Sequence, residues 1–285
     1  MNQTINNEAI KLSFNPIKPQ FNEYIEWLQD KNLSPNTIQL YTNILGKYQQ
    51  NSPLLTTENI KQYFKDNVQR YQADSLTVKK HCLNSYIKFK ELKIEWEKIV
   101  RIIPRSQHKF FPIISEEELQ QLKNAKTEKN LKFHQRNNLI IDFLFYSGVR
   151  INELVNIKHS DWQKNESLKI HGKGNKVRYI CLRDFLTTHF KAVQQTFLFT
   201  NQRGGKIKTE YLRWLIKKRT IKAGINKNIT PHTFRRSFAT LLYNGGAQLT
   251  TIQTLLGHSS LSTTEKYINN NFEHIKSDYN KIWKK

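Results

Sequence analysis

Apolar residues at three- and four-residue spacing set the pattern of the first hundred positions. In FNEYIEWLQDK, Phe21, Tyr24, Ile25 and Leu28 share one face of a predicted helix. SPNTIQLYTNILGKY repeats the arrangement, with Ser34 as cap, Pro35 at the first helical position, and Ile38, Tyr41, Leu45 and Tyr48 as the apolar stripe. TTENIKQYFKDNVQ and DSLTVKKHCLNSYIKFKEL follow the same period, which predicts a bundle of four short helices with Lys and Arg on its outer faces. The period lapses in the basic, proline-broken RIIPRSQHKFFPII and resumes at SEEELQQL, where Ser115 and Glu118 form a capping box. NNLIIDFLFYSG is apolar almost throughout, so it predicts the core helix of a second domain, stopped by Gly148.

The period then shortens. In SLKIHGKGNKVRYICL two β-leaning runs flank Gly172-Lys173-Gly174-Asn175, a hairpin signal. After Asp184 the pattern is helical again. In the tail, Phe272, Ile275, Tyr279 and Ile282 predict an amphipathic helix behind a hinge at Asn269–Asn271. The expected architecture is mainly α with a small β-sheet. A helical N-terminal domain covers residues 1–105, a linker 106–114, and a mixed α/β domain 115–285, ending in the tail helix.

Composition narrows the partner. Among 285 residues, 46 are Lys or Arg and 23 Asp or Glu, a formal net charge of +23. A compact protein this basic implies a polyanionic partner that offsets its self-repulsion. No apolar stretch is long enough to span a bilayer, and the start MNQTINNEAIKLSF lacks the basic and apolar regions of an export signal. The expectation is a cytoplasmic protein that binds nucleic acid and no membrane. Cys82 and Cys181 are too few for a disulfide framework or a cysteine zinc site, and zinc-type histidine spacings are absent. No metal or other cofactor is expected, and both cysteines read as small buried hydrophobes.

Four stretches carry polar residues that packing does not explain. Arg150 follows the glycine that ends the apolar helix, and Lys173 sits between two glycines at the hairpin tip, with Lys176 and Arg178 as rivals for its role. Taken alone, each is most simply an exposed or salt-bridged side chain. In TPHTFRRSFATLLYNGG, Thr230 and Pro231 start a helix whose apolar side is Phe234, Phe238 and Leu241. His232, Arg235 and Arg236 then share a face near its N-terminus, where cations make sense if an anion binds. Finally, Gly257 stops a helix, His258 follows, and Ser262 with Glu265 caps a segment presenting Tyr267.

Two arginines, two histidines, a lysine and a tyrosine, without a carboxylate or metal ligand set, suit one reaction. A tyrosine attacking a phosphodiester builds charge on the non-bridging oxygens, which bidentate arginines and histidine donors can hold without Mg²⁺. A hairpin lysine can give a proton to the departing 5′ oxygen.

At these residues the chain resembles the tyrosine recombinase, or phage integrase-like, family, and most closely its Xer-type branch. Arg150, Lys173, His232, Arg235, His258 and Tyr267 match the family pattern in order, and GHSSLSTTEKYI is similar to the family's segment over almost its whole length. The family often has histidine where this chain has Arg236. The likeness runs from about Asn22 to the end, with LSPNTIQLY resembling the core-binding domain. It implies a site-specific recombinase that clamps double-stranded DNA and exchanges strands through 3′-phosphotyrosine links. It also implies a homo-tetramer on two sites, joined by exchange of the C-terminal helix, with Tyr267 as nucleophile and no cofactor. Chromosome dimer resolution, inversion and mobile-element integration all use this design. The competing readings are a type IB-like topoisomerase and a catalytically inactive DNA-binding relative.

Overall fold

The computed structural model describes residues 21–52, 54–105, 112–163, 167–172, 176–192, 196–257 and 272–283. The chain divides into two compact units, Met1–Lys109 and Phe110–Lys285.

In the first unit the described residues form α1 (Asn22–Asp30), α2 (Pro35–Asn51), α3 (Thr57–Asn67), α4 (Ala73–Phe89) and α5 (Trp96–Val100). The starts follow from sequence. The Ser34 hydroxyl accepts from the Thr37 amide, ahead of Pro35 at the first position, and Thr56 accepts from Asn59. The expected stripes face inward: Tyr24, Leu28, Ile38, Leu45, Tyr48, Ile60, Phe64 and Leu83 are all buried. Aromatic edges knit the helices, with the Tyr24 and Tyr86 rings 4.9 Å apart and nearly perpendicular. The pattern predicted four helices, and the structure adds α5. Its five residues are too short to show a period, but Ile99 is fully buried against the bundle.

Near the start of the second unit, Ile114 is fully buried. Its amide donates to Ser237 Oγ at 2.7 Å, and Ser237 Oγ in turn donates to the Thr233 carbonyl. Next come α6 (Glu116–Asn124), α7 (Leu131–Ser147), α8 (Ile151–Leu154) and a 3-10 turn, His159–Asp161. The Ser115–Glu118 capping box is formed in full. Strands β1 (Leu168–His171) and β2 (Val177–Ile180) pair antiparallel, Leu168 opposite Ile180 and His171 opposite Val177. The helices α9 (Asp184–Ala192), α10 (Thr209–Lys222), α11 (Pro231–Asn244), α12 (Leu249–Leu256) and α13 (Phe272–Trp283) complete it. On α11 the inward residues are Phe234, Phe238 and Leu242, with Leu241 only partly buried, one position from the expected stripe.

Two details shape this core. Gly148 ends α7 in the left-handed conformation, with φ +60°. A Cβ there would stand 2.4 Å from the Phe238 ring, so glycine is needed for both conformation and space. The second is a polar knot under α10. The fully buried Arg219 donates to Glu128 at 3.0 Å and also to Asn138, while Asn137 donates to Glu128.

The tail helix α13 forms as the pattern predicted, and within the single chain it packs on the second unit's own core. Of its described side chains, Tyr279 and Trp283 are buried and Ile282 is partly buried. Tyr279 is 1% exposed and donates its hydroxyl to the Tyr146 carbonyl at 3.0 Å. Trp283 meets the Tyr146 ring edge-on, and the Arg183 guanidinium lies over that ring. An apolar stripe takes the nearest socket that covers it, and the end of α7 supplies one. The hinge at Asn269–Asn271 lies outside the described residues. Among those described, no helix is long and apolar enough to cross a membrane.

Candidate active site

Three of the six expected site residues, Arg150, His232 and Arg235, are described, and Arg150 and Arg235 meet at the end of α7. Arg150 follows Gly148 and Val149, so the left-handed turn at Gly148 directs the chain into α8 with Arg150 at its start. Its amide donates to Glu153 Oε2 at 2.7 Å and its Nη1 to Glu153 Oε1 at 2.9 Å. Arg235 arrives from the first turns of α11, where Thr230 caps the helix and Pro231 opens it. Its Nη1 donates to the Gly148 carbonyl at 2.8 Å, and its Nη2 reaches the Leu256 carbonyl at 2.5 Å. One guanidinium therefore joins the end of α7 to the end of α12.

The shared face expected for His232, Arg235 and Arg236 divides. Arg235 is buried and turned to the interior, whereas His232 is exposed at the first turn and Arg236 is half-buried. Lys173, His258 and Tyr267 lie outside the described residues, as do Ser262 and Glu265. What is described brackets the first two. The hairpin closes through Gly172 N donating to the Lys176 carbonyl at 2.7 Å, and Gly257, the residue before His258, ends α12 with φ +63°.

Arg178 does not rival Lys173. It faces inward from β2, 8% exposed, and donates from Nη1 and Nη2 to the two oxygens of Glu153, at 2.8 and 2.7 Å. Its Nε donates to the Leu255 carbonyl. A guanidinium bound in this way holds structure and does not release protons. Lys176 is exposed beside the hairpin tip.

Glu153 is the residue that the sequence reading passed over. The signal was present, since a glutamate three places after a helix's first flanking residue is where capping carboxylates sit. Burial alone would raise its pKa, but the hydrogen bonds and charges of Arg178 and Arg150 prevail and hold it at about 2. Arg235 is pushed the other way, to about 10, by burial and then by the charges of Arg150 and Arg178. It remains a cation at neutral pH. Three guanidinium groups thus stand around one carboxylate among the described residues, an excess of positive charge that attracts a bound anion. Arg150 is the partly exposed member of the three, whereas Arg235 gives Nη1 and Nη2 to main-chain carbonyls.

Comparison with known proteins shows the family. Residues 112–274 match the phage integrase family. Tyrosine recombinase XerC of Leptospira interrogans is 32% identical over 288 residues, covering 91% of each chain. Tyrosine recombinase XerD of Staphylococcus haemolyticus is 31% identical over 287 residues, covering 91% of this chain and 97% of that one. Two solved structures share the fold. The XerH site-specific recombinase bound to palindromic difH substrate, a post-cleavage complex, has 23% identity and a TM-score of 0.65, covering 88% of this chain and 80% of that chain. The lambda integrase tetramer bound to a Holliday junction has 16% identity and a TM-score of 0.67, covering 85% and 77%. The chain belongs to the phage integrase family and is a site-specific tyrosine recombinase of the Xer-like branch.

Proposed function

We propose that this recombinase cuts and rejoins double-stranded DNA through a 3′-phosphotyrosine formed by Tyr267. The observation that carries the reading is the convergence of Arg150 and Arg235. Arg235 binds the carbonyl two residues ahead of Arg150, and its guanidinium feels the charge of Arg150. In the reaction the Tyr267 oxygen bonds to phosphorus and the bond to the 5′ oxygen breaks. Arg150 and Arg235 hold the non-bridging oxygens, where charge develops. His232 and His258 add hydrogen bonds to the same phosphate, and Lys173 gives its proton to the departing 5′ oxygen. Rejoining is the reverse attack by a 5′ hydroxyl of the exchanged strand. No metal ion and no cofactor take part in this scheme.

The N-terminal unit serves as the core-binding domain, since its basic helices suit a phosphate backbone. The working form is a homo-tetramer on two DNA sites in the cytoplasm. On assembly, α13 leaves its own socket at Tyr146 and enters the equivalent socket of the next copy, which makes the apolar contacts seen within the single chain available between copies.

A suicide substrate, nicked so that the cleaved end diffuses away, tests the reading. The wild-type protein is expected to form a covalent protein–DNA adduct, and Tyr267→Phe is expected to bind the same DNA and form none. An adduct from Tyr267→Phe would move the nucleophile elsewhere.

A further inference from the structure

Arg178 takes no part in the chemistry above, yet its side chain joins more of the site than any cation assigned to the phosphate. It occupies an inward position of β2, in register with the buried Ile180. A charge in that register is costly unless its partners are all present. They are present. The guanidinium grips both Glu153 oxygens, and Nε holds the Leu255 carbonyl at 2.7 Å, three residues before His258. Glu153 in turn holds Arg150 by its amide and its guanidinium.

The two glycines that flank the remaining site residues also rest on this group. A Cβ on Gly257 would meet Arg178 Cδ at 2.8 Å, so the end of α12 lies directly on the arginine stem. A Cβ on Gly172 would stand 3.7 Å from Glu153 Oε1 and 3.9 Å from Arg178 Nη1, which places the base of the hairpin tip beside the ion pair. Lys173 is the next residue after Gly172, and His258 the next after Gly257.

We propose that Arg178 is a positioning residue for strand cleavage, one guanidinium that sets the register of Arg150, of the hairpin base at Gly172 and of the end of α12 at Gly257. The assignment rests on the recombinase reading of the site. The fork geometry explains the choice of residue. Arginine offers donors in fixed directions to three acceptors on two elements, whereas lysine carries its donors on one point and cannot span them. Because a buried ion pair adds little net stability, its yield here is orientation. A misplacement of about 1 Å at a reacting group can cost on the order of a hundredfold in rate.

The test uses the full chain and three readouts: affinity for an uncleaved site, the rate of adduct formation on the suicide substrate, and that rate when sulfur replaces the 5′-bridging oxygen. Sulfur leaves without a proton, so the third readout removes the demand on Lys173. Arg178→Lys is expected to keep its affinity within about twofold and to form adduct about a hundredfold more slowly. It should recover about tenfold of that loss on the sulfur substrate. A wild-type rate overturns the proposal. So does a rate loss matched by an equal loss of affinity, and so does a loss that sulfur leaves unchanged, because each describes a residue that only supports the fold or the DNA contact. If Arg178→Lys does not fold, Glu153→Gln carries the same comparison, since it loosens the grip of the Arg178 fork at nearly unchanged side-chain volume. The two readings fail separately. Absence of adduct from the wild-type protein overturns the recombinase site, and this proposal with it. Wild-type adduct with an unaffected Arg178→Lys overturns the positioning role alone.

Discussion

The hydroxyl of Tyr279 donates to the main-chain carbonyl of Tyr146 at 3.0 Å, with the tyrosine 1% exposed. The tail helix is thus bonded to the helix end that precedes Arg150. Burial drives the Tyr279 phenol far above its ordinary pKa, so it stays a neutral donor throughout the working range.

The first prediction concerns this contact. Tyr279→Phe leaves the carbonyl unsatisfied and is expected to cost about 1 kcal/mol. Tyr279→Ala also empties the socket and should cost about 3 to 5 kcal/mol, measured by urea unfolding. If α13 is exchanged between copies, Tyr279→Ala should also weaken pairing of two DNA sites while single-site binding persists. Size exclusion of the protein with DNA reads that difference.

Gly148→Ala is expected to be severe for two independent reasons. The left-handed backbone costs an L-residue about 1 kcal/mol, and the methyl must displace the Phe238 ring at a further 1 to 3 kcal/mol. Phe238→Leu combined with it should recover part of the second cost and none of the first. Thermal unfolding of the three variants checks the split.

Acid stability follows from two carboxylates. Glu153 and Glu128 are each held at about 2, against an ordinary 4.5, by the arginines and hydrogen bonds that outweigh their burial. A depressed carboxylate stabilises fully above its unfolded pKa and loses that contribution as pH falls through the folded value. The melting temperature is therefore expected to draw on both pairs down to pH 4.5 and to lose their support between pH 4.5 and 2. Glu153→Gln and Glu128→Gln should each flatten the fall in that window, as followed by circular dichroism.

Cleavage should persist in excess EDTA, because fixed guanidinium groups do the electrostatic work for which other phosphoryl-transfer sites use a metal. The adduct yield on the suicide substrate, with and without chelator, is the measurement. Activity that disappears with EDTA and returns with Mg²⁺ would contradict the role assigned to Arg150 and Arg235.

Much of this was legible in the residues. Ser34, Ser115, Thr230 and Gly148 mark ends of helices because capping is local chemistry, and the hairpin between Leu168 and Ile180 follows from alternation and its glycines. Burial direction was harder. Arg235 and Arg236 are adjacent letters, but only the packing of α11 on α7 decides that Arg235 turns inward. Arg178 looked like a second hairpin cation because its partners, Glu153 and Leu255, lie 25 and 77 residues away in sequence. No local pattern reports such distances. The tail stripe predicted a helix and the burial of Tyr279 but could not name the socket, since a stripe specifies an apolar surface without saying whose.

The bond between Ile114 and Ser237 has a mechanical meaning. The polypeptide enters the second unit moored to α11, two residues beyond Arg235. Tension along the chain at residue 112 is therefore delivered to that helix and to Lys227, whose ammonium donates to the Ile113 carbonyl. The Ser237 hydroxyl is engaged on both sides, accepting from Ile114 and donating to Thr233, so the anchor has little slack.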